Sequence, residues 1–351
     1  MSVFERHKVV TGIFVAALIC ATALFLGEIA VRVFLPQVTF VGQSESLYQE
    51  ERFGAAAGNG PISIGESWGA TVVTDQFGFR VAADQPGGST AYCDTIIIGD
   101  SVPFGVGVAS QDIFPELLDR QLGRKSCNAS VSGYGIDDYA EFIDHWLVSH
   151  RAQLNISNAI LVLSLNDIHG SAREARQEEN RQRRMEETES SVEGFARRVS
   201  AQVDFNRFLI SRSKLYLAAK GGLYDSSRWW FQFDYEPYLD AEMVKSLNLK
   251  LHAVIAKLRN LGLKVTVFVL PYEYQLRSTG KEWLAPQAVL AGILDEVQVP
   301  YVDFYPDFRA YKGGLSHKEL FLFNDHCHLS KAGHALVADR AMKLPLVLQS
   351  R

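Results

Sequence analysis

Between Asp94 and Met342, short β-branched runs alternate with amphipathic helical stretches, and this alternation constrains the fold more than any other feature of the chain. Thr95-Ile96-Ile97-Ile98 has charge before it and glycine after it, the pattern of a strand buried on both faces. Further strands are predicted at Cys127–Val131, Ala159–Leu163, Lys264–Leu270 and Tyr301–Phe304. Helices are predicted over Asp112–Leu122, Asp137–His150, Leu247–Leu261, Pro286–Val297 and Ser330–Met342, with Asp112 and Ser330 as caps. Strands separated by helices pair in parallel through crossover connections. The expected fold is therefore α/β, a doubly wound parallel sheet of about five strands with helices on both faces. Ligands of such sheets gather at the C-terminal ends of the strands. Residues directly after a predicted strand are thus the ones to read for chemistry.

Other segments flank or interrupt this pattern. Residues 36–93 read as a lead-in: a polar, glycine-rich tether to about Pro61, a short strand at Ala70–Thr74 and a turn at Asp75–Arg80. A mostly helical insertion is expected at about 171–243, within a main domain spanning 94–345. Arg173 to Arg198 mixes Arg and Glu, either a solvated helix held by i,i+4 pairs or a binding face. Trp229-Trp230-Phe231-Gln232-Phe233 packs the insertion onto the sheet, lines a substrate cleft or touches lipid headgroups; the sequence leaves the three open.

Residues 1–35 form a short stub and an apolar segment. Val9 to Leu26 carries no charge, about 18 residues and close to the ~20 that cross a bilayer as a helix. Ala21-Thr22-Ala23 fits a cleavage site, but Leu24-Phe25-Leu26 continues the apolar run through it. Cys20 follows Ile19 rather than the small residue a lipoprotein signal wants. An uncleaved single-pass anchor is the better reading, with Glu28 and Arg32 able to pair just beyond the span. Arg6 and Lys8 precede the span, so the N-terminus is expected in the cytoplasm and the rest in a periplasm or extracellular space. The net charge of -5 offers no footprint for nucleic acid. No CxxC pair or Cys/His zinc spacing is present, so neither metal nor cofactor is expected.

Four elements follow the strands or precede the last helix. Gly99-Asp100-Ser101 ends the first strand; Ser101 is a nucleophile if a base reaches it, or else part of a capped turn. Gly133, in Asn128-Ala129-Ser130-Val131-Ser132-Gly133, can offer a backbone N–H to an oxyanion, or is a plain loop glycine. Asn166, in Ser164-Leu165-Asn166-Asp167, can donate to the same oxyanion or make an Asx turn. In Asp325-His326-Cys327-His328 a carboxylate three residues before an imidazole can fix its tautomer.

Each element alone is weak, but their order resembles the SGNH (GDSL) hydrolase superfamily, whose serine, glycine, asparagine and histidine blocks occur in this sequence. The likeness covers roughly Asp94 to Met342 apart from the insertion. Ser101 to Val108 and Gly78-Phe79-Arg80 are similar to membrane-anchored bacterial members, while Leu165 stands where many members carry glycine. The resemblance implies a flavodoxin-like three-layer α/β/α sandwich and a Ser-His-Asp triad of Ser101, His328 and Asp325. The backbone N–H groups of Ser101 and Gly133 and the Asn166 amide would form the oxyanion hole. Asp100 is then a structural hydrogen-bond partner, and His169 and His326 are bystanders. The implied activity is hydrolysis of acyl esters, such as acetyl groups on cell-surface polysaccharide. The same triad could instead transfer an acyl group to a glycan. A non-catalytic glycan-binding module would be expected to have a broken triad.

With the strand order usual for this fold, Cys93 and Cys127 enter the sheet at the same level on adjacent strands, each six residues before a glycine of the site. A bridge needs Cα atoms about 4.4–6.8 Å apart, and neighbouring strands lie about 4.8 Å apart. The pair is either a disulfide of an exported domain or two buried thiols, with Cys327 unpaired in both cases.

Overall fold

The computed structural model describes residues 3–35, 38, 64–75, 77–81, 93–123, 126–170, 209, 212–277, 280–314 and 316–344. The charged stretch from Arg173 to Arg198 lies outside the described residues, as does the lead-in from 39 to 63.

The strands are β1 (Ile64–Ser67), β2 (Ala70–Thr74), β3 (Arg80–Val81), β4 (Thr95–Ile98), β5 (Ser126–Asn128), β6 (Asn158–Leu163), β7 (Lys264–Val269) and β8 (Tyr301–Asp303). They form one sheet in the order β1-β2-β3-β5-β4-β6-β7-β8. The five from β5 to β8 are parallel throughout. Taken alone, they have the flavodoxin-like order 2-1-3-4-5. The three lead-in strands add an antiparallel extension, joined to the parallel part by the pairing of Arg80 with Asn128. Ile96, Ile97, Ile98 and Ala159 to Leu163 are buried, as continuous apolar runs covered on both faces require.

The principal helices are α1 (Val3–Phe34), α2 (Phe114–Leu122), α3 (Ile136–Glu141, continuing as a wider turn to Leu147), α4 (Lys214–Leu223), α5 (Ser226–Tyr235), α6 (Ala241–Asn260), α7 (Ala285–Glu296) and α8 (Lys331–Ala341). Right-handed crossovers place α2 and α8 on one face of the sheet and α3, α6 and α7 on the other. The observed packing agrees: α2 lies against α8, and α6 lies against both α3 and α7. This is the three-layer sandwich.

Two local readings need correction. Asp112 does not cap α2; the helix starts after Ile113, and the Asp112 carboxylate pairs with Lys331 at 3.0 Å. The helix expected from Leu247 begins earlier, because Asp240 accepts hydrogen bonds from the backbone N–H groups of Glu242 and Met243. Ser330 caps α8 as expected. Cys93 and Cys127 form a disulfide, with Cα atoms 5.7 Å apart. Cys327 is free and buried. Residues His7–Phe34 of α1 are long and apolar enough to cross a membrane.

Candidate active site

Ser101 opens a short helical turn, Ser101–Phe104, directly after β4. The Asp100 carboxylate accepts from the Val102 backbone N–H at 2.9 Å and caps this turn. Gly99 is needed just before it: a Cβ there would lie 2.5 Å from Pro103 and 3.1 Å from the Val162 carbonyl oxygen. The strand end can therefore approach β6 only without a side chain.

His328 comes from the loop before α8, 227 residues further on, and its Nε2 lies 2.8 Å from the Ser101 Oγ. On its other side, Nδ1 lies 2.8 Å from Asp325 Oδ2. With Nδ1–H donating to the carboxylate, Nε2 is left to accept from the serine hydroxyl. The second Asp325 oxygen accepts from the backbone N–H groups of Cys327 and His328 at 2.9 and 2.8 Å. Burial would raise the Asp325 pKa, but the His328 charge and hydrogen bond, with His326 and the His328 backbone N–H, hold it well below the usual carboxylate range. Burial likewise opposes a charged His328; the Asp325 charge and hydrogen bond, with the Asp100 charge, outweigh it and raise its pKa.

Gly133 lies in the turn after β5 with φ of 86°. Its loop is tied to the end of β4 by the Val131 N–H donating to the Gly99 carbonyl at 3.1 Å. Asn166 stands in the turn after β6, and its Nδ2 donates to Asp100 Oδ2 at 3.1 Å. An amide nitrogen carries two hydrogens, so this bond commits one of them. The structure thus brings Ser101, His328 and Asp325 into one connected chain, and Asn166 joins it through Asp100. Burial raises the pKa of Asp100 against the hydrogen bonds from Val102 and Asn166, and burial with the Asp100 charge raises that of Asp167 well above the carboxylate range.

His169 stands apart from this chain, whereas His326 Nδ1 lies 3.7 Å from Asp325 Oδ1 without reaching Ser101. His169 Nε2 bonds Asp234 of α5 at 2.9 Å, and the Tyr272 hydroxyl donates to the same carboxylate at 2.7 Å. His326 is stacked on Trp230 with centroids 5.4 Å apart, and burial lowers its pKa despite the Asp325 charge. Of the aromatic run, Phe231 and Phe233 are buried, while Trp230 walls the histidine loop. Asp325, His326 and Cys327 put three potential ligand atoms within 4.8 Å of one another. The carboxylate is already engaged by His328 and two backbone N–H groups, and burial raises the Cys327 thiol pKa, which works against the thiolate a metal needs.

Two residues of the lead-in reach the site although sequence reasoning gave them no role. Trp68, at the β1–β2 turn, places its ring 4.8 Å from that of His328 at 62°. Its φ of 51° is a left-handed conformation that costs a bulky residue free energy. Arg80 is buried to 1% exposure and forks into the loop after Ser101. It donates to the carbonyls of Phe104 and Gly105, both at 2.6 Å, to that of Val108, and to the Ser110 hydroxyl at 3.2 Å. At Gly105 (φ 83°) a Cβ would lie 2.4 Å from Ile113 and 3.2 Å from the Arg80 guanidinium. The available signals were a Trp-Gly pair before a strand and an arginine in the Gly78-Phe79-Arg80 motif.

With this geometry in place, three comparisons bear on the chain. The model of the GDSL-like lipase/acylhydrolase family matches residues 97–336. No curated protein matches the chain in sequence. Among solved structures, LAE5, an alpha/beta hydrolase from the metagenome of Lake Arreo, Spain, is 12% identical, covering 75% of this chain and 100% of its own, with a TM-score of 0.43. The acetyl xylan esterase AlAXEase is 15% identical, covering 71% of this chain and 98% of its own, at 0.41. A lipolytic G-D-S-L family protein from Veillonella parvula DSM 2008 is 15% identical, covering 72% and 97%, at 0.39. Likenesses of this strength carry no argument about substrate.

Proposed function

This chain belongs to the GDSL-like lipase/acylhydrolase family, and on that premise we propose that it is a serine esterase acting on acyl esters outside the membrane that holds it. The observation that carries the reading is the unbroken contact chain from Ser101 Oγ to His328 Nε2 and from His328 Nδ1 to Asp325, 2.8 Å at each step.

In the proposed reaction, Ser101 Oγ attacks the acyl carbonyl carbon while its proton passes to His328 Nε2. Asp325 stabilises the imidazolium that forms and keeps its orientation. The carbonyl oxygen, now an oxyanion, is met by the backbone N–H groups of Ser101 and Gly133 and by the Asn166 N–H not bonded to Asp100. His328 then gives its proton to the alcohol oxygen as the ester C–O bond breaks. Water repeats the sequence on the acyl-enzyme, releasing the acid and restoring Ser101.

Its place is proposed on separate grounds. Arg6 and Lys8 precede the apolar run, which favours a cytoplasmic N-terminus with α1 as anchor. The Cys93–Cys127 bridge is of a kind that persists in an oxidising compartment such as a periplasm. Acyl esters borne by cell-surface glycans, acetyl esters among them, are the substrates accessible there.

The test is release of acid from a panel of acetylated glycans and simple acyl esters by the full chain, with and without an acceptor glycan. Hydrolysis that Ser101→Ala abolishes supports the reading. Acyl groups appearing on the acceptor in place of free acid would assign the same triad to transfer. No turnover of any ester by protein that binds an active-site phosphonate would overturn it.

A further inference from the structure

The end of α1 is built into the catalytic domain. Glu28 is the first charged residue after the uncharged run that starts at Val9. Its carboxylate accepts from the backbone N–H groups of Lys214 and Leu215 and from the Ser213 hydroxyl, each at 2.9 Å. These are donors at the N-terminus of α4, so a residue of the anchor caps a helix of the insertion. Arg32 pairs with Glu28 at 2.8 Å and donates to the Arg212 carbonyl at 3.2 Å. Gly27 lies against Leu215, while Val31 and Val38 form a buried cluster with Leu217, so α4 runs along the emerging end of α1.

The other end of α4 meets the catalytic loop. A Cβ on Gly221 would lie 2.7 Å from the Phe323 ring. The Asn324 side chain donates to the Tyr224 carbonyl at 3.2 Å, and the Ser226 hydroxyl donates to the Asn324 carbonyl. Asn324 immediately precedes Asp325 of the proposed triad. A ten-residue helix is about 15 Å long, so α4 is a strut of that length between the anchor and the catalytic loop. Whatever the tilt of the strut, its far end stands no more than about 15 Å from the level of Glu28, where the apolar run ends.

A flexible tether would suffice for an enzyme acting on polymers free in solution. A catalytic loop braced by a strut whose far end lies within about 15 Å of the end of the apolar run favours esters that are themselves held at the membrane. Resting on the esterase and anchor readings above, we propose that the substrate ester is carried by an amphiphile whose hydrocarbon part lies in the bilayer, and that α4 sets the reach of Ser101 to it. A glycan on a lipid carrier and a simple acylated lipid share this chemistry.

The experiment uses the full chain reconstituted in phosphatidylcholine–phosphatidylglycerol vesicles, with a coumarin acetate as probe. The probe is supplied free in water or bearing a long alkyl chain that holds it in the vesicle. Rates are normalised to the sites labelled by an external fluorophosphonate. The vesicle-held ester should turn over at least about tenfold faster than the free one, as confinement raises effective concentration. Glu28→Ala should cut that preference by about fivefold or more, leaving the free ester within about twofold. Equal rates on the two probes, or a preference that Glu28→Ala leaves intact, overturns the proposal while the esterase reading stands. No turnover of either probe by labelled protein overturns both. An acylated lipid and an acylated lipid-linked glycan, offered in the same vesicles, then distinguish the two sources.

Discussion

The indole of Trp68 lies 4.8 Å, centroid to centroid, from the imidazole of His328, bringing a lead-in residue against the proposed catalytic base. An aromatic ring beside an imidazolium stabilises its charge by about 0.5–2 kcal/mol and keeps water from it. In the proposed reaction that charge develops as His328 takes the Ser101 proton. Trp68→Ala should therefore lower kcat by about fivefold or more with a smaller change in KM, and Trp68→Phe should retain most of the rate. Steady-state kinetics on one soluble ester decide it; an unchanged kcat in the alanine variant would remove Trp68 from the mechanism.

Arg80 holds the loop that follows Ser101 through the carbonyls of Phe104, Gly105 and Val108. Replacing it with Met leaves the carbonyls of Phe104, Gly105 and Val108 without their guanidinium donor in a buried place. The expected loss is about 3–5 kcal/mol of stability, read as a lowered denaturant midpoint. Arg80→Lys should recover only part of it, because a point charge cannot fork to several carbonyls.

The four blocks of the candidate site were legible as places because each lies where an apolar strand run stops or just before a capped helix, and such places are marked in the chain itself. The parallel order followed from strand–helix alternation and the short apolar runs. Trp68 and Arg80 were not legible as site residues. Their placement depends on β3 pairing with β5 through Arg80 and Asn128, a long-range register that no local periodicity encodes. Asp112 failed as a cap for a similar reason: Lys331 sits beside it at 3.0 Å, a partner 219 residues away. The link from Glu28 to α4 was invisible too, since the expected partner Arg32 accounts for only one of its contacts.

The Cys93–Cys127 bridge closes a loop with a sequence separation of 34 and joins the approach to β4 with β5 itself. Constraining a loop of that size in the unfolded chain contributes about 3–4 kcal/mol. Cys93→Ala/Cys127→Ala should lower the unfolding free energy by about that amount relative to the oxidised protein. Mass mapping of non-reduced protein should find the linked peptides and a free thiol at Cys327. Free thiols at both Cys93 and Cys127 would contradict the assignment.

Asp119 carries a pH dependence unrelated to catalysis. It accepts from the Ser126 N–H at 2.8 Å, and burial lifts its pKa to about 7, despite that bond. The folded chain thus holds the proton more tightly than the unfolded chain, where the carboxyl titrates near 3.8. Stability should fall as pH rises from about 4 to about 7 and then level off. Asp119→Asn should flatten that slope in denaturant titrations across the range; an unaltered slope would show that Asp119 does not titrate there.

The central claim is that Ser101 is a nucleophile made reactive by His328, and covalent trapping tests it most directly. The full chain, treated with a fluorophosphonate and digested, is predicted to carry the label on the peptide containing Ser101. Ser101→Ala and His328→Ala, folded by their unfolding midpoints, are predicted to lose the label and ester hydrolysis together, with a loss of at least about 10³-fold in rate. Label on a different residue, or hydrolysis at the native rate by Ser101→Ala, would contradict the account.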